Sequence, residues 1–235
     1  MRLTSQLARA VLPGSLRSWV REKQRALTLH RILRRVVASG GADLQRREVR
    51  RELVRSWGND LWVAQDEFLE AVVQWAMRSE GPILECGSGL STLVLGLLAQ
   101  PRGLEVWTLE HDPDWAQKVS RILASHGVTS VRLLRVDLKH FGDYSWYDVP
   151  LAEMPGGFSL VVCDGPPGST PGGRYGLLPV MRSRLAGGCR ILLDDAGRID
   201  ERDILRRWAT EAGADYRLAG DIKPYGVLTL GSKGT

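Results

Sequence analysis

From residue 82 onward, short apolar runs alternate with longer stretches of helical spacing, and this alternation predicts the architecture. PILEC (82–86), LEVWTLE (104–110), VRLLRV (131–136), FSLVVCD (158–164) and RILLDD (190–195) are brief runs rich in leucine or β-branched residues. Each stops at a polar or glycine-containing segment, as strands do. Between them, LSTLVLGLLAQ (90–100), PDWAQKVSRILASHG (113–127), RYGLLPVMRSRLAGG (174–188) and DERDILRRWATEAG (200–213) repeat apolar residues at helical spacing. Three of these four end near glycine, a frequent helix stop. Such alternation predicts an α/β fold in which helices cover both faces of a parallel sheet. The last two runs, DYRLAG (215–220) and YGVLTLG (225–231), are joined by a short polar turn and predict an antiparallel hairpin at the sheet edge. The expected core is therefore a doubly wound, mostly parallel seven-stranded sheet with a C-terminal antiparallel hairpin. The stretch LKHFGDYSWYDVPLAEMPGG (138–157) shows no sustained period and predicts no element.

Ahead of this pattern the character changes. REKQRALTLHRILRRVV (21–37) and LQRREVRRELVRSW (44–57) interleave apolar residues with arginines at helical spacing, predicting amphipathic helices separated by a break at Ala38-Ser39-Gly40-Gly41. The net charge of +5 is concentrated there: residues 1–60 hold 14 Lys/Arg against 5 Asp/Glu, and residues 61–235 hold 18 against 22. The chain thus divides into a basic helical extension, 1–60, and a main domain, 61–235. The extension has two uses open to it, a helical face packed on the main domain or a dock for an anionic surface such as a nucleic acid or membrane. The absence of any acid in the first 21 residues adds a mitochondrial presequence as a third.

Composition narrows the class further. With 43% hydrophobic and 25% charged residues, the chain has the balance of a soluble globular protein. No apolar window approaches the roughly 20 residues that span a bilayer, and no secretory signal core is present, so the expected compartment is the cytoplasm. Cys86, Cys163 and Cys189 sit at the ends of strand-like runs without metal-ligand spacing and read as small buried hydrophobes.

The chemistry begins at ILECGSGLST (83–92). In a doubly wound sheet, ligands bind outside the carboxyl ends of the strands. Gly87 and Gly89 let the backbone turn sharply there, and Ser91 or Thr92 caps the next helix or offers a hydroxyl to the ligand. Glu110 ends the second strand about 20 residues later, where an acid takes the hydroxyls of a ribose. Thr92 stands in the place of the third glycine of a dinucleotide loop, which disfavours a pyrophosphate. Glu85, before the glycines, suits a ligand carrying an ammonium. Both features point to S-adenosylmethionine.

ILECGSGLST, VWTLEHD, LVVCDGPPG and ILLDDAGR together resemble the successive motifs of class I S-adenosylmethionine-dependent methyltransferases, closest to the small O-methyltransferase-like group with a GSGxST loop and a DGP motif. The resemblance spans about residues 60–231 and leaves out the basic N-terminus. It implies a Rossmann-like sheet. It also implies that Glu85, Gly87, Ser88, Gly89, Ser91 and Thr92 line the methionine end of the cofactor, Glu110 the ribose, and the Val136-Asp137-Leu138 stretch the adenine.

A second group of acids, Asp164 after the fourth strand and Asp194-Asp195 after the fifth, is expected to converge at neighbouring strand ends. Carboxylates brought together need a proton or a cation, and hard oxygen ligands suit Mg²⁺, Ca²⁺ or Mn²⁺. The arrangement resembles the metal site of catechol-type O-methyltransferases, although the lysine that follows the first acid in that group is replaced by Pro166-Pro167-Gly168. The resemblance makes Asp164, Asp194 and Asp195 candidate Mg²⁺ ligands but, without that lysine, supplies no general base; on chemical grounds Asp164 or Asp195 is the candidate to accept the acceptor's proton. His111 and His140 are further base candidates. Trp57, Trp62, Trp146, Tyr147 and Tyr175 are candidates for packing an acceptor ring, and Arg174 for holding an anionic one. The function expected is methylation of a hydroxyl on a small molecule or sugar. Two alternatives are an RNA- or protein-directed methyltransferase and a non-catalytic cofactor-binding module anchored by its N-terminus.

Overall fold

The computed structural model describes residues 14–58 and 66–232. The boundary expected at residue 60, the aromatic candidate Trp62 and the first 13 residues lie outside them. In chain order the elements are α1 (Gly14–Ala38), α2 (Arg47–Trp57), α3 (Asp66–Ala76), β1 (Ile83–Cys86), α4 (Leu90–Ala99), β2 (Val106–Glu110), α5 (Pro113–Ser125) and β3 (Val131–Arg135). There follow β4 (Leu138–His140), β5 (Ser145–Tyr147), β6 (Phe158–Cys163), α6 (Leu177–Met181), β7 (Leu185–Leu193), α7 (Ile199–Ala212), β8 (Asp215–Ala219) and β9 (Tyr225–Thr229).

Seven strands form one sheet in the order β3-β2-β1-β6-β7-β9-β8. The first five are parallel, whereas β9 runs antiparallel to both β7 and β8. Strand order reverses between β1 and β6, which opens a crevice at their carboxyl ends. The seven predicted strands and the edge hairpin are thus all present. Alternate residues of each central strand feed two apolar layers. Ile83, Leu160 and Val162 face a layer shared with α3 and α4, and Leu84, Val161 and Cys163 face one that contains Trp146 and Trp208. Burial on both faces explains why the strands read as continuous apolar runs.

The basic N-terminal helices join the first layer. Leu29, Ile32, Leu33 and Val36 of α1 and Val49, Leu53 and Trp57 of α2 pack into it, while Leu16, Trp19 and Leu27 of α1 remain exposed. The predicted break falls where expected, with Gly40 and Gly41 at φ of 58° and 88°. No helix among the described residues is long and apolar enough to cross a membrane.

Two expectations need correction. The helix expected over 174–188 is only α6, followed by a turn at Arg182–Arg184, because LAGG belongs to β7. Leu185 pairs with Phe158, and both are buried in the second layer, so sheet pairing overrides the helical spacing. The unassigned stretch after Asp137 folds as a small antiparallel ribbon, β4 against β5, whose three-residue strands are too short to show a period.

Candidate active site

The ends of β1, β2 and β6 are stitched together by backbone. The Gly87 amide donates to the Leu109 carbonyl at 2.9 Å, and the Asp164 and Gly165 amides donate to the Cys86 carbonyl at 2.9 and 2.7 Å. Gly87, at φ 84°, lies so close to Gly165 that an added Cβ would meet the Gly165 nitrogen at 2.9 Å. This glycine is required both by its left-handed conformation and by the contact. Above the junction opens a cavity of about 870 Å³, within the size range of small-molecule sites.

One wall carries Gly87, Ser88, Glu110, His111 and Trp115, and the opposite wall carries Asp164, Arg174, Asp194, Asp195, Glu201 and Lys223. Glu110 ties the first wall together. Its Oε2 accepts from the Ser88 amide and hydroxyl at 2.9 and 2.8 Å, and its Oε1 accepts from the His111 and Asp112 amides at 2.8 and 2.9 Å. A carboxylate has about four lone-pair sites, so a sugar hydroxyl binds here only by replacing the Ser88 hydroxyl. Trp115 closes the wall by donating from Nε1 to the Ser88 carbonyl at 2.7 Å.

The other residues expected around the glycine turn lie behind the cavity or away from it. Period-two alternation sends Glu85 to the same face as Ile83, where it is fully buried and its Oε2 accepts from the Thr108 hydroxyl at 2.9 Å. Burial pushes its carboxyl up to about 7, against the partial opposition of the Ser91, Thr92 and Thr108 hydroxyls. Thr92 Oγ1 accepts from the Gly89 amide at 2.8 Å and so serves the start of α4, and neither Gly89 nor Ser91 is among the lining residues. Asp137 is exposed, pairs with Arg135 at 2.8 Å and does not line the cavity.

The buried Glu85 carries a pH prediction. Between about pH 4.5 and pH 7 the folded chain holds a proton that the unfolded chain has released, so stability falls as pH rises through that window. Relative to Glu85→Gln, which cannot ionise, the wild type should lose about 3 kcal/mol across it. Urea unfolding of both proteins at either end of the window measures the difference, and parallel pH dependences would refute it.

Asp164, Asp194 and Asp195 do converge, offering ligand atoms within 4.8 Å of one another. The cations between them come from the protein. Lys223 Nζ lies 2.7 Å from Asp194 Oδ2 and 2.8 Å from Asp195 Oδ1. Arg174 Nη2 lies 3.1 Å from Asp164 Oδ1 and 3.1 Å from Asp195 Oδ2, and Arg198 Nη1 approaches the same Asp195 oxygen at 3.0 Å. Mg²⁺ needs oxygen ligands at about 2.0–2.1 Å, whereas four of the six carboxylate oxygens here already face N–H donors and Asp194 Oδ1 has no partner. The three acids converge as expected for Mg²⁺ ligands, but the protein's own cations make this donor set a poor fit for a divalent ion.

These contacts set the ionisation of the cluster. Burial, reinforced by Asp194, pushes Asp164 up to about 7 although roughly a third of its side chain reaches the cavity. Burial opposes charge on Asp195 too, but Lys223, Arg174 and Arg198 prevail and hold it below the usual carboxylate range. Burial likewise works against Lys223, yet Asp194 and Asp195 raise it above its ordinary value.

Arg174, expected to bind an anionic acceptor, is instead 3% exposed and committed to the protein. Besides its two carboxylates it donates to the carbonyls of Asp194 and Asp164 at 2.8 and 2.6 Å. Of the described aromatic candidates only Tyr147 lines the cavity, where its hydroxyl has no partner; Trp57 and Trp146 are core, and Tyr175 donates to Glu211 at 2.8 Å. His111 lines the cavity and His140 sits exposed on β4. Sequence reasoning missed Lys223, Arg198 and Glu201. The lone signal was a lysine in a polar hairpin turn, which is an ordinary surface feature.

S-adenosylmethionine, a zwitterion with a sulfonium, fits a cavity that offers both donors and acceptors. Four lining residues carry buried polar atoms without hydrogen-bond partners, the Tyr147 hydroxyl, His111 Nδ1, Asp194 Oδ1 and Glu201 Oε2, of which the hydroxyl can donate and the carboxylate oxygens accept.

No protein-family model matches the chain, and no curated protein matches it by sequence. Solved structures do. Precorrin-6y C5,15-methyltransferase from Geobacter metallireducens is 15% identical with a TM-score of 0.55, covering 74% of this chain and 92% of that one. A putative O-methyltransferase from Klebsiella pneumoniae is 16% identical with a TM-score of 0.52, covering 97% and 95%. A Podospora anserina methyltransferase, PaMTH1, with S-adenosylhomocysteine bound, is 17% identical with a TM-score of 0.55, covering 80% and 88%. The chain has the Rossmann-like fold of these methyltransferases.

Proposed function

We propose that the chain is an S-adenosylmethionine-dependent methyltransferase acting on a hydroxyl of a small molecule or sugar, without a divalent metal. The observation that carries this is the cavity at the sheet's reversal point, which sets the Gly87-Ser88 turn and Glu110 against Asp164, a carboxyl that burial pushes up to about 7. Gly87 and Ser88 would hold the methionine end of the cofactor, and Glu110 the ribose. When bound, the cofactor supplies an electrophilic methyl on a sulfonium.

The chain's part is to align the acceptor for in-line displacement and to take its proton. Asp164 suits proton acceptance because it reaches the cavity and ionises near neutrality, whereas Asp195 is held ionised by three cations and is a weaker base. Arg174 orients Asp164 through Oδ1. Gly165, Pro167, Gly168 and Ser169 line the cavity beside Asp164.

Thermal unfolding with and without S-adenosylhomocysteine, which keeps every cofactor contact except the methyl, tests the reading. At ligand about 100-fold above Kd the midpoint should rise by roughly 5–10 °C. No shift at millimolar ligand overturns cofactor binding. A shift without methyl transfer to any of a panel of hydroxylated acceptors supports the non-catalytic module instead.

A further inference from the structure

We infer that Lys223 is the built-in cation of this site, a tethered ammonium standing where three converging carboxylates would otherwise recruit a divalent metal, and that it meets an oxygen of the acceptor. Its role toward the acceptor rests on the proposed methyl transfer; its occupancy of the carboxylate cluster does not.

The placement follows from the sheet. β9 pairs antiparallel with β7, and Leu193 lies opposite Gly226, so the turn before β9 is held at the carboxyl end of β7, next to Asp194 and Asp195. Pro224 then packs against the turn that follows Asp195, where a Cβ added to Gly197 would meet its ring at 3.4 Å. A lysine immediately before that proline extends over both carboxylates.

The electrostatics favour the occupant already there. Asp195 has both oxygens engaged by cations, and Asp194 has Oδ2 engaged by Lys223. A divalent ion using those Asp194 and Asp195 oxygens would have to displace Lys223 and would then stand beside the guanidiniums of Arg174 and Arg198. An ammonium has three N–H donors, of which Asp194 and Asp195 take two. Lys223 is 29% exposed and lines the cavity, so the third is available to an acceptor hydroxyl or oxyanion. An ammonium at this position selects oxygen acceptors and repels protonated amines.

The full-length protein is titrated with Mn²⁺ alone, without cofactor or acceptor, and followed by thermal midpoint and by the fraction of Mn²⁺ bound. Wild type and Lys223→Arg should show neither a shift nor stoichiometric binding. Lys223→Ala, and Lys223→Gln should the alanine variant fold poorly, should gain one Mn²⁺ site and a rise of several degrees, and Asp194→Asn added to either should remove both. One-to-one Mn²⁺ binding by the wild type overturns the inference, as does failure of the folded variants to gain a site. Activity reads the acceptor role separately. Wild-type methyl transfer should be indifferent to chelator, and Lys223→Gln should lower kcat/KM at least tenfold, with substantial recovery in Lys223→Arg. If no methyl transfer is found in any form but the variants gain Mn²⁺, the cation assignment stands and the enzymatic reading falls.

Discussion

Replacing Asp164 with asparagine should lower kcat by about 10²- to 10⁴-fold, the usual contribution of a positioned general base, while S-adenosylhomocysteine binding persists. The size of the effect follows from position. Asp164 extends from the end of β6, with Oδ1 held by Arg174 at 3.1 Å and the rest of the carboxyl facing the cavity. Burial and the neighbouring Asp194 push it up to about 7, so a substantial fraction is ionised and able to accept a proton under neutral conditions. For the wild type, kcat/KM should rise with pH through that value as the base deprotonates, and in Asp164→Asn this limb should vanish. A steady-state pH profile of the two proteins checks it. An unchanged limb in the variant would assign the proton transfer to another group, with His111 the next in line on the cavity wall.

The second large effect concerns stability. Arg174→Leu should cost about 3–5 kcal/mol, because removing one partner of a buried ion cluster leaves uncompensated charge. Its guanidinium is enclosed, raised above its ordinary value by Asp164, Asp195 and Asp194 in spite of burial, and bonded to the Asp164 and Asp194 carbonyls. Without it those carbonyls lose donors and Asp164 loses its ion-pair partner, with Lys223 the remaining cation that favours its charge. The loss should be larger at pH 8 than at pH 5, since carboxyls freed of the arginine can take up protons at the lower pH. Denaturant unfolding at both values measures this, and a deficit below about 1 kcal/mol at pH 8 would mean that the cluster is solvated rather than buried. By contrast, Lys223 is partly exposed and its loss should be milder.

The second of these effects turns on a residue whose identity was visible but whose use was not. Arg174 lies in a glycine- and proline-rich loop, and such loops are ordinarily exposed, so an arginine there reads as a hand for an anionic ligand. Its burial results from three carbonyls and two carboxylates converging at the ends of β6 and β7. Glu85 lies away from the cavity for a different reason. Its place before the glycines is a local fact, but strand parity turns its side chain toward Thr108 on β2 and out of the cavity.

By itself the sequence determined the seven strands, the parallel core with its antiparallel edge, the glycine turn after β1 and the meeting of Asp164 with Asp194 and Asp195. These depend on local periodicity and on one topological rule, that parallel strands bring their carboxyl ends to the same side of a sheet. Only the tertiary structure decided what neutralises those carboxylates. Lys223 and Asp194 are separated by 29 positions and by a helix, and the register of β9 on β7 is what brings them to 2.7 Å. Charge compensation acts through space, and the spacing of residues along a chain carries little record of it.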